Sequence, residues 1–131
     1  MRIELNFKSG KPAYLQITEQ VKFAAASGRL KPGDQLPSIR DLAATLGINR
    51  NTAAKAYAEL EHEGLVETRP GSGVFLTGNA SPFKKKIRDE ILAEAVDAAI
   101  VQAHHLQVSP EDFVDLVQER LTKFEQRRKK E

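Results

Sequence analysis

Between two short amphipathic helical patterns the chain leaves only three residues, Gly47-Ile48-Asn49, to end one helix and start the next. Glycine suits the left-handed position that closes a helix, and asparagine suits the cap that opens one. The helix before this turn is short. Ser38 can cap it, Asp41 three residues on completes a capping box, and Ile39, Leu42, Ala43 and Leu46 form its inner face. After Asn49, Ala53, Ala56, Tyr57 and Leu60 recur at helical spacing as far as Gly64, and Ile48 can staple onto Ala53. So tight a link forces the two helices to cross, and alanines at 43, 44, 53 and 56 allow the close approach that a crossing needs.

The flanking segments extend this helix-turn-helix pattern. Upstream, Pro12 can open a helix whose apolar residues are Tyr14, Ile17, Val21, Ala24 and Ala25, with Gly28 as its stop. Residues 29–37, punctuated by Pro32-Gly33, read as a loop. Downstream, Leu65–Arg69 and Gly73–Leu76 read as two strands joined through Pro70-Gly71-Ser72. The order is helix, helix, helix, hairpin: a winged helix-turn-helix. On pattern alone a second reading stays open, a small α+β domain whose third helix is merely structural.

The turn-forming cluster Thr77-Gly78-Asn79-Ala80-Ser81-Pro82 marks a boundary. The expected domains are a winged helix over 1–78 and a two-helix dimerisation tail over 79–131, a mainly α fold with a small β-hairpin. Residues 1–78 hold ten Lys and Arg against eight Asp and Glu, too mild a surplus to predict nucleic-acid binding from net charge. The case therefore rests on placement.

The run Leu30-Lys31-Pro32-Gly33-Asp34-Gln35-Leu36-Pro37-Ser38-Ile39-Arg40-Asp41-Leu42-Ala43 resembles the signature of the GntR family of bacterial transcription regulators. So do Lys11–Ile17, Asn49–Thr52, Ala56–Glu61, Gly64–Val66 and Gly71–Phe75, in matching order and spacing across residues 10–77. The resemblance implies a DNA-binding regulator and gives Arg40 the role of a DNA-contacting arginine. Large branches of the family append an effector or aminotransferase-like domain. The 53 residues after Gly78 are too few for either, and a short two-helix tail is similar to the YtrA subfamily.

A recognition helix enters the major groove by its N-terminal end. Arg50 stands there, with a fork that can pair guanine O6 and N7 together. Asn51 can pair with adenine or reach a phosphate. Thr52 can bind phosphate or its own backbone, and Lys55, one turn on, can reach base or backbone. Ser38 divides between capping and phosphate contact. Gly71 and Gly73 allow a tight tip to approach the duplex, which places Arg69 and Ser72 at the minor groove or its phosphates. Ala54 stands where family members often carry a base. Glu59, Glu61, Glu63 and Glu67 would repel phosphates, so the other end of the helix must dock.

In the tail, Ile87, Ile91 and Ala95 on one helix and Phe113, Val117 and Leu121 on the next are expected at a dimer interface. Ser109, Pro110 and Asp112 start the second helix. Burying each large apolar side chain is worth about 1.5–3 kcal/mol, which favours a symmetric homodimer over exposure. Packing back onto the winged domain is the alternative for that face. Lys84, Lys85 and Lys86 can add phosphate contacts, although a charge run is ordinarily a solvated face.

The sequence argues against other chemistries. It has no cysteine for a thiol nucleophile or thiolate metal site, and adjacent His104 and His105 diverge on a helix. No catalytic constellation, cofactor or metal is expected, and no apolar run reaches the roughly 18 residues of a membrane span. The expected function is a cytoplasmic, homodimeric, sequence-specific repressor on an inverted-repeat operator in double-stranded DNA. The alternatives are a winged-helix protein-interaction module, or a repressor gated by an effector of unknown identity near the tail helices.

Overall fold

The computed structural model of the chain describes residues 2–78 and 80–130, and the side chains of these apart from residues 80–84. Its elements run α1 (Ala13–Ala26), β1 (Gln35–Leu36), α2 (Ile39–Leu46), α3 (Arg50–His62), β2 (Val66–Arg69), β3 (Gly73–Leu76), α4 (Ala80–His105) and α5 (Pro110–Lys130). Two compact units divide the chain, Met1–Ile91 and Leu92–Glu131.

In the first unit α3 packs against both α1 and α2. Its buried stripe is Ala53, Ala56, Tyr57 and Leu60, the face that its spacing predicts. From α1 come Ile17, Val21, Ala24 and Ala25, and from α2 come Leu42 and Ala43. Ala43, Ala53 and Ala56 make the close approach of the helices, whereas Ala44 faces solvent. Both N-caps form, although the return bond of a capping box, from the Ser38 N–H to the Asp41 carboxylate, is not among the hydrogen bonds of the described residues. Ser38 Oγ accepts from the Asp41 N–H at 3.0 Å, and Asn49 Oδ1 from the Asn51 N–H at 2.8 Å. Gly47 takes the left-handed conformation at φ 67°.

The loop expected over 29–37 contains a strand. Gln35 and Leu36 pair antiparallel with Phe75 and Val74, giving a three-stranded sheet in the order β1-β3-β2. Two residues are too few to show a period, and their partners lie almost forty positions downstream, so no local pattern announces them. Leu36, Val66, Val74 and Leu76 bury one face of this sheet.

The segment before α1 also belongs to the core. Ile3 is buried and Leu5 packs beside it, while Arg2, Glu4 and Asn6 alternate outward. Two α1 glutamines hold this backbone. Gln20 Nε2 donates to the Glu4 carbonyl and its Oε1 accepts from the Glu4 N–H, at 2.6 and 3.0 Å. The buried Gln16 amide does likewise for Asn6, at 3.0 and 2.8 Å, and donates to the Lys11 carbonyl at 2.9 Å. A buried amide with all these partners is satisfied, so its burial carries little penalty.

Two residues expected at a dimer interface lie at the first unit's core. Ile87 is buried in the first unit's core and Ile91 packs against it. The first turns of α4 thus complete the winged unit, which extends through Ile91 and not only to Gly78. Ile87 finds its cover within the chain, and Ile91 part of its own. α4 starts at Ala80, inside the 77–82 cluster expected as a turn; Asn79 lies outside the described residues, as do the side chains of Phe83 and Lys84.

The second unit holds the rest of α4 and all of α5. Ser109 Oγ accepts from the Asp112 N–H at 3.1 Å, capping α5 as expected. None of its described residues is buried. Phe113 is half-buried, and it lines an apolar groove with Ala95, Val96, Ala99, Val114, Val117 and Gln118. Leu121 and Phe124 remain 58% and 63% exposed.

Candidate nucleic-acid interface

The cap at Asn49 decides what the first turn of α3 presents. Its side chain occupies the Asn51 N–H, and its carbonyl accepts from the Thr52 N–H at 3.0 Å. With the local backbone satisfied, Arg50 and Asn51 extend outward, both exposed. Neither side chain has a hydrogen bond or ion pair among the described residues, and neither does Arg40 on α2. Exposed ion pairing of Arg40 with Asp41 or Glu19 is therefore not formed; Glu19 pairs with Lys11 at 3.2 Å. Thr52 is half-buried, and Ser38 uses its hydroxyl on its cap.

Lys55 has an intrachain neighbour that the sequence did not signal. Its Nζ lies 3.9 Å from the centroid of the Tyr14 ring. Such a contact orients the ammonium without neutralising it, because the ring face carries only a quadrupole. At the other end of α3, Glu61 accepts from Thr68 Oγ1 at 2.8 Å and Glu63 pairs with Lys22 at 2.9 Å. The free cations gather at the start of the helix and the carboxylates at its end, as the sequence suggests.

Tyr57 fixes α3 against the approach to α2. Its hydroxyl donates to the Pro37 carbonyl at 2.6 Å, and burial holds its phenol well above the ordinary tyrosine pKa. The residue is core, as expected. It also sets where the Ser38 cap sits relative to α3.

The wing closes through Arg69-Pro70-Gly71-Ser72. The Ser72 N–H donates to the Arg69 carbonyl at 2.9 Å, and Gly71 has φ 78°. Proline followed by a left-handed glycine is the signature of a type II turn. Gly73 follows at φ 125°. Arg69 is engaged within the chain: its Nη2 donates to Glu67 Oε1 at 2.7 Å, and its guanidinium carbon lies 4.2 Å from the Phe75 ring centroid. Glu67 and Phe75 therefore account for its position, intrachain partners that the sequence, which assigns Arg69 to the minor groove or its phosphates, did not signal.

A recognition helix with Arg50 and Asn51 exposed at its start and unpaired among the described residues, an exposed Arg40 on the preceding helix and a glycine-tipped hairpin define a winged helix-turn-helix of the nucleic-acid-binding class. Residues 13–76 match the family described as bacterial regulatory proteins, gntR family. The HTH-type transcriptional repressor YtrA of Bacillus subtilis is 37% identical over 117 residues, covering 89% of this chain and 90% of YtrA. A transcriptional regulator from Oenococcus oeni, solved as a crystal structure, superposes with a TM-score of 0.72 at 35% identity, covering 89% of this chain and 97% of that one. AraR(DBD), solved in complex with operator ORX1, superposes with a TM-score of 0.53 at 26% identity over 59% of this chain and 99% of its own.

The chain belongs to the gntR family of bacterial regulatory proteins. It is a DNA-binding transcriptional regulator and not an enzyme. Within the family it is YtrA-like, since the match to YtrA runs well beyond the winged helix. Among the described residues no helix is long and apolar enough to cross a membrane.

Proposed function

We propose that the chain acts in the cytoplasm as a homodimeric repressor that occupies an inverted-repeat operator in double-stranded DNA. The observation that carries this reading is the exposed, unpartnered Arg50–Asn51 pair at the capped start of α3. Arg50 reads a guanine through its fork, and Asn51 reads an adjacent base or holds a phosphate. Arg40, Thr52 and Lys55 bind the backbone on either side, with Ser38 contributing where its cap allows. Gly71, Ser72 and Gly73 bring the wing tip to the minor groove. Arg69 reaches the phosphates only by sharing charge with Glu67. The AraR complex with an operator supports DNA as the ligand of this fold.

Dimerisation is assigned to Leu92–Glu131. Ala95, Phe113, Val117 and Leu121 belong to a unit with no buried described residue, and a second copy supplies the missing cover. Twofold symmetry then presents two recognition helices to two half-sites about one helical turn or so apart. Bound there, the dimer denies the promoter to the transcription machinery.

Selection of tight binders from a pool of random duplexes tests this reading. The full chain should enrich an inverted repeat, and Arg50→Ala should lose about 10- to 100-fold in affinity while accepting other bases at one position per half-site. A pool that stays random, or an Arg50→Ala loss that is equal on all sequences, contradicts base reading by this residue.

A further inference from the structure

The exposed face of the small sheet carries one row of directly paired residues. Gln35 of β1 lies opposite Phe75 of β3, and Phe75 lies opposite Glu67 of β2. Directly opposed residues point to the same side of a sheet. The row lies on the solvent side, since Leu36, Val66, Val74 and Leu76 fill the other. From this row Glu67 and Phe75 hold Arg69. Gln35 reaches toward the same tip from the other side of β3, and its Nε2 donates to the Ser72 carbonyl at 3.0 Å.

We infer that Gln35 is a positioning residue for the wing: its amide fixes the tip before DNA arrives. Ser72 is bonded on both sides, its N–H to Arg69 across the turn and its carbonyl to Gln35. The second bond is the one that ties the tip to a third strand. A two-stranded hairpin tip is otherwise free to swing, because nothing beyond its own turn restrains it. Gly73 is fitted to the same arrangement. A Cβ built there would lie 2.6 Å from Gln35 Nε2, so a side chain at 73 and the amide cannot share that space. Gly73 therefore serves two needs, a φ of 125° and clearance for the Gln35 side chain.

This inference rests on the wing touching DNA, and it deepens that reading. Holding the tip in its bound form lowers the ordering cost on binding, so the gain appears as affinity with no added contact. It also gives β1 a purpose. Two residues add little sheet, but they deliver one amide to the end of the hairpin.

The test compares the full chain with Gln35→Met, which keeps the stem and removes the donor. Three readings are taken: nitrogen-15 relaxation at Gly71–Gly73 without DNA, affinity for the duplex that the wild-type chain selects, and thermal midpoint. The same substitution is also made in a chain whose Pro70-Gly71-Ser72 tip is replaced by a two-residue Asn-Gly turn. Gln35→Met should loosen the tip, lower affinity about 3- to 10-fold, and leave the thermal midpoint nearly unchanged. In the replaced-tip background it should cost nothing further.

A tip that stays equally rigid in Gln35→Met overturns the inference, as does a loosened tip with unchanged affinity. A loss that persists in the replaced-tip chain also overturns it, by showing that Gln35 touches DNA itself. If the wild-type chain selects no duplex, the DNA-binding reading beneath the inference falls. Tip relaxation, measured without DNA, separates that failure from a failure of Gln35 to hold the wing.

Discussion

Tyr57 combines two tasks in one side chain, and only one was legible. Its place on the apolar stripe with Ala53, Ala56 and Leu60 follows from helical spacing. Its hydroxyl partner, the Pro37 carbonyl, lies twenty positions away and leaves no mark on the local pattern. Tyr57→Phe should cost about 1–2 kcal/mol, the worth of a buried hydrogen bond whose acceptor is left bare. The pH dependence follows from burial raising the phenol's pKa. Below the ordinary value of about 10 the group is neutral in both states, and this contribution to stability is fully present. As pH rises above about 10 the unfolded chain ionises first, so stability is lost progressively towards the folded value. Urea midpoints at about pH 8 and about pH 11 should therefore fall further for the wild-type chain than for Tyr57→Phe. Parallel falls would contradict that origin. Arg50 was legible for a different reason, since the cap before it is written locally in Asn49. The Lys55–Tyr14 contact joins two helices and had no such trace.

At the scale of elements, the legible features are those that repeat or begin with a cap. The helices of both units show apolar spacing, and Ser38, Asn49 and Ser109 each bond as their positions suggest. β1 escaped because two residues hold no period and pair far along the chain. The N-terminal segment did carry a signal: Arg2-Ile3-Glu4-Leu5-Asn6 alternates as a half-buried extended strip should. The turn between α4 and α5 offers a test of element geometry. Its Val108 N–H donates to the Ala103 carbonyl at 2.9 Å and its Gln107 N–H to His104 at 3.1 Å, which is the pattern of a Schellman closure. Gln107 holds its left-handed position at φ 58° with a β-carbon present. Gln107→Gly should raise stability by about 0.5–1 kcal/mol, relief of the left-handed cost exceeding the added chain entropy. An unchanged or lower urea midpoint would show that the turn carries no such strain.

Across the whole chain the two units differ in how they satisfy apolar surface. Met1–Ile91 encloses its own core and recruits Ile87 and Ile91 to it. Leu92–Glu131 leaves Leu121 and Phe124 mostly exposed and buries none of its described residues. Helical spacing identified the apolar positions of α4 but could not apportion them, because the same spacing serves a neighbour in the chain or a second copy. Two such side chains, covered by a partner on each side, are worth several kcal/mol at about 1.5–3 kcal/mol apiece. On the proposed dimer, affinity for DNA depends on the tail, since one winged unit would hold one half-site and two held together would gain from proximity.

Sedimentation equilibrium of the full chain with its selected duplex measures this directly, beside Leu121→Glu as the variant that spoils only the exposed tail face. The expected result is two wild-type chains per duplex at concentrations where Leu121→Glu is monomeric and mostly unbound. A wild-type complex of one chain per duplex, or a Leu121→Glu chain that binds as a dimer with undiminished affinity, would contradict the pairing of winged units through the tail.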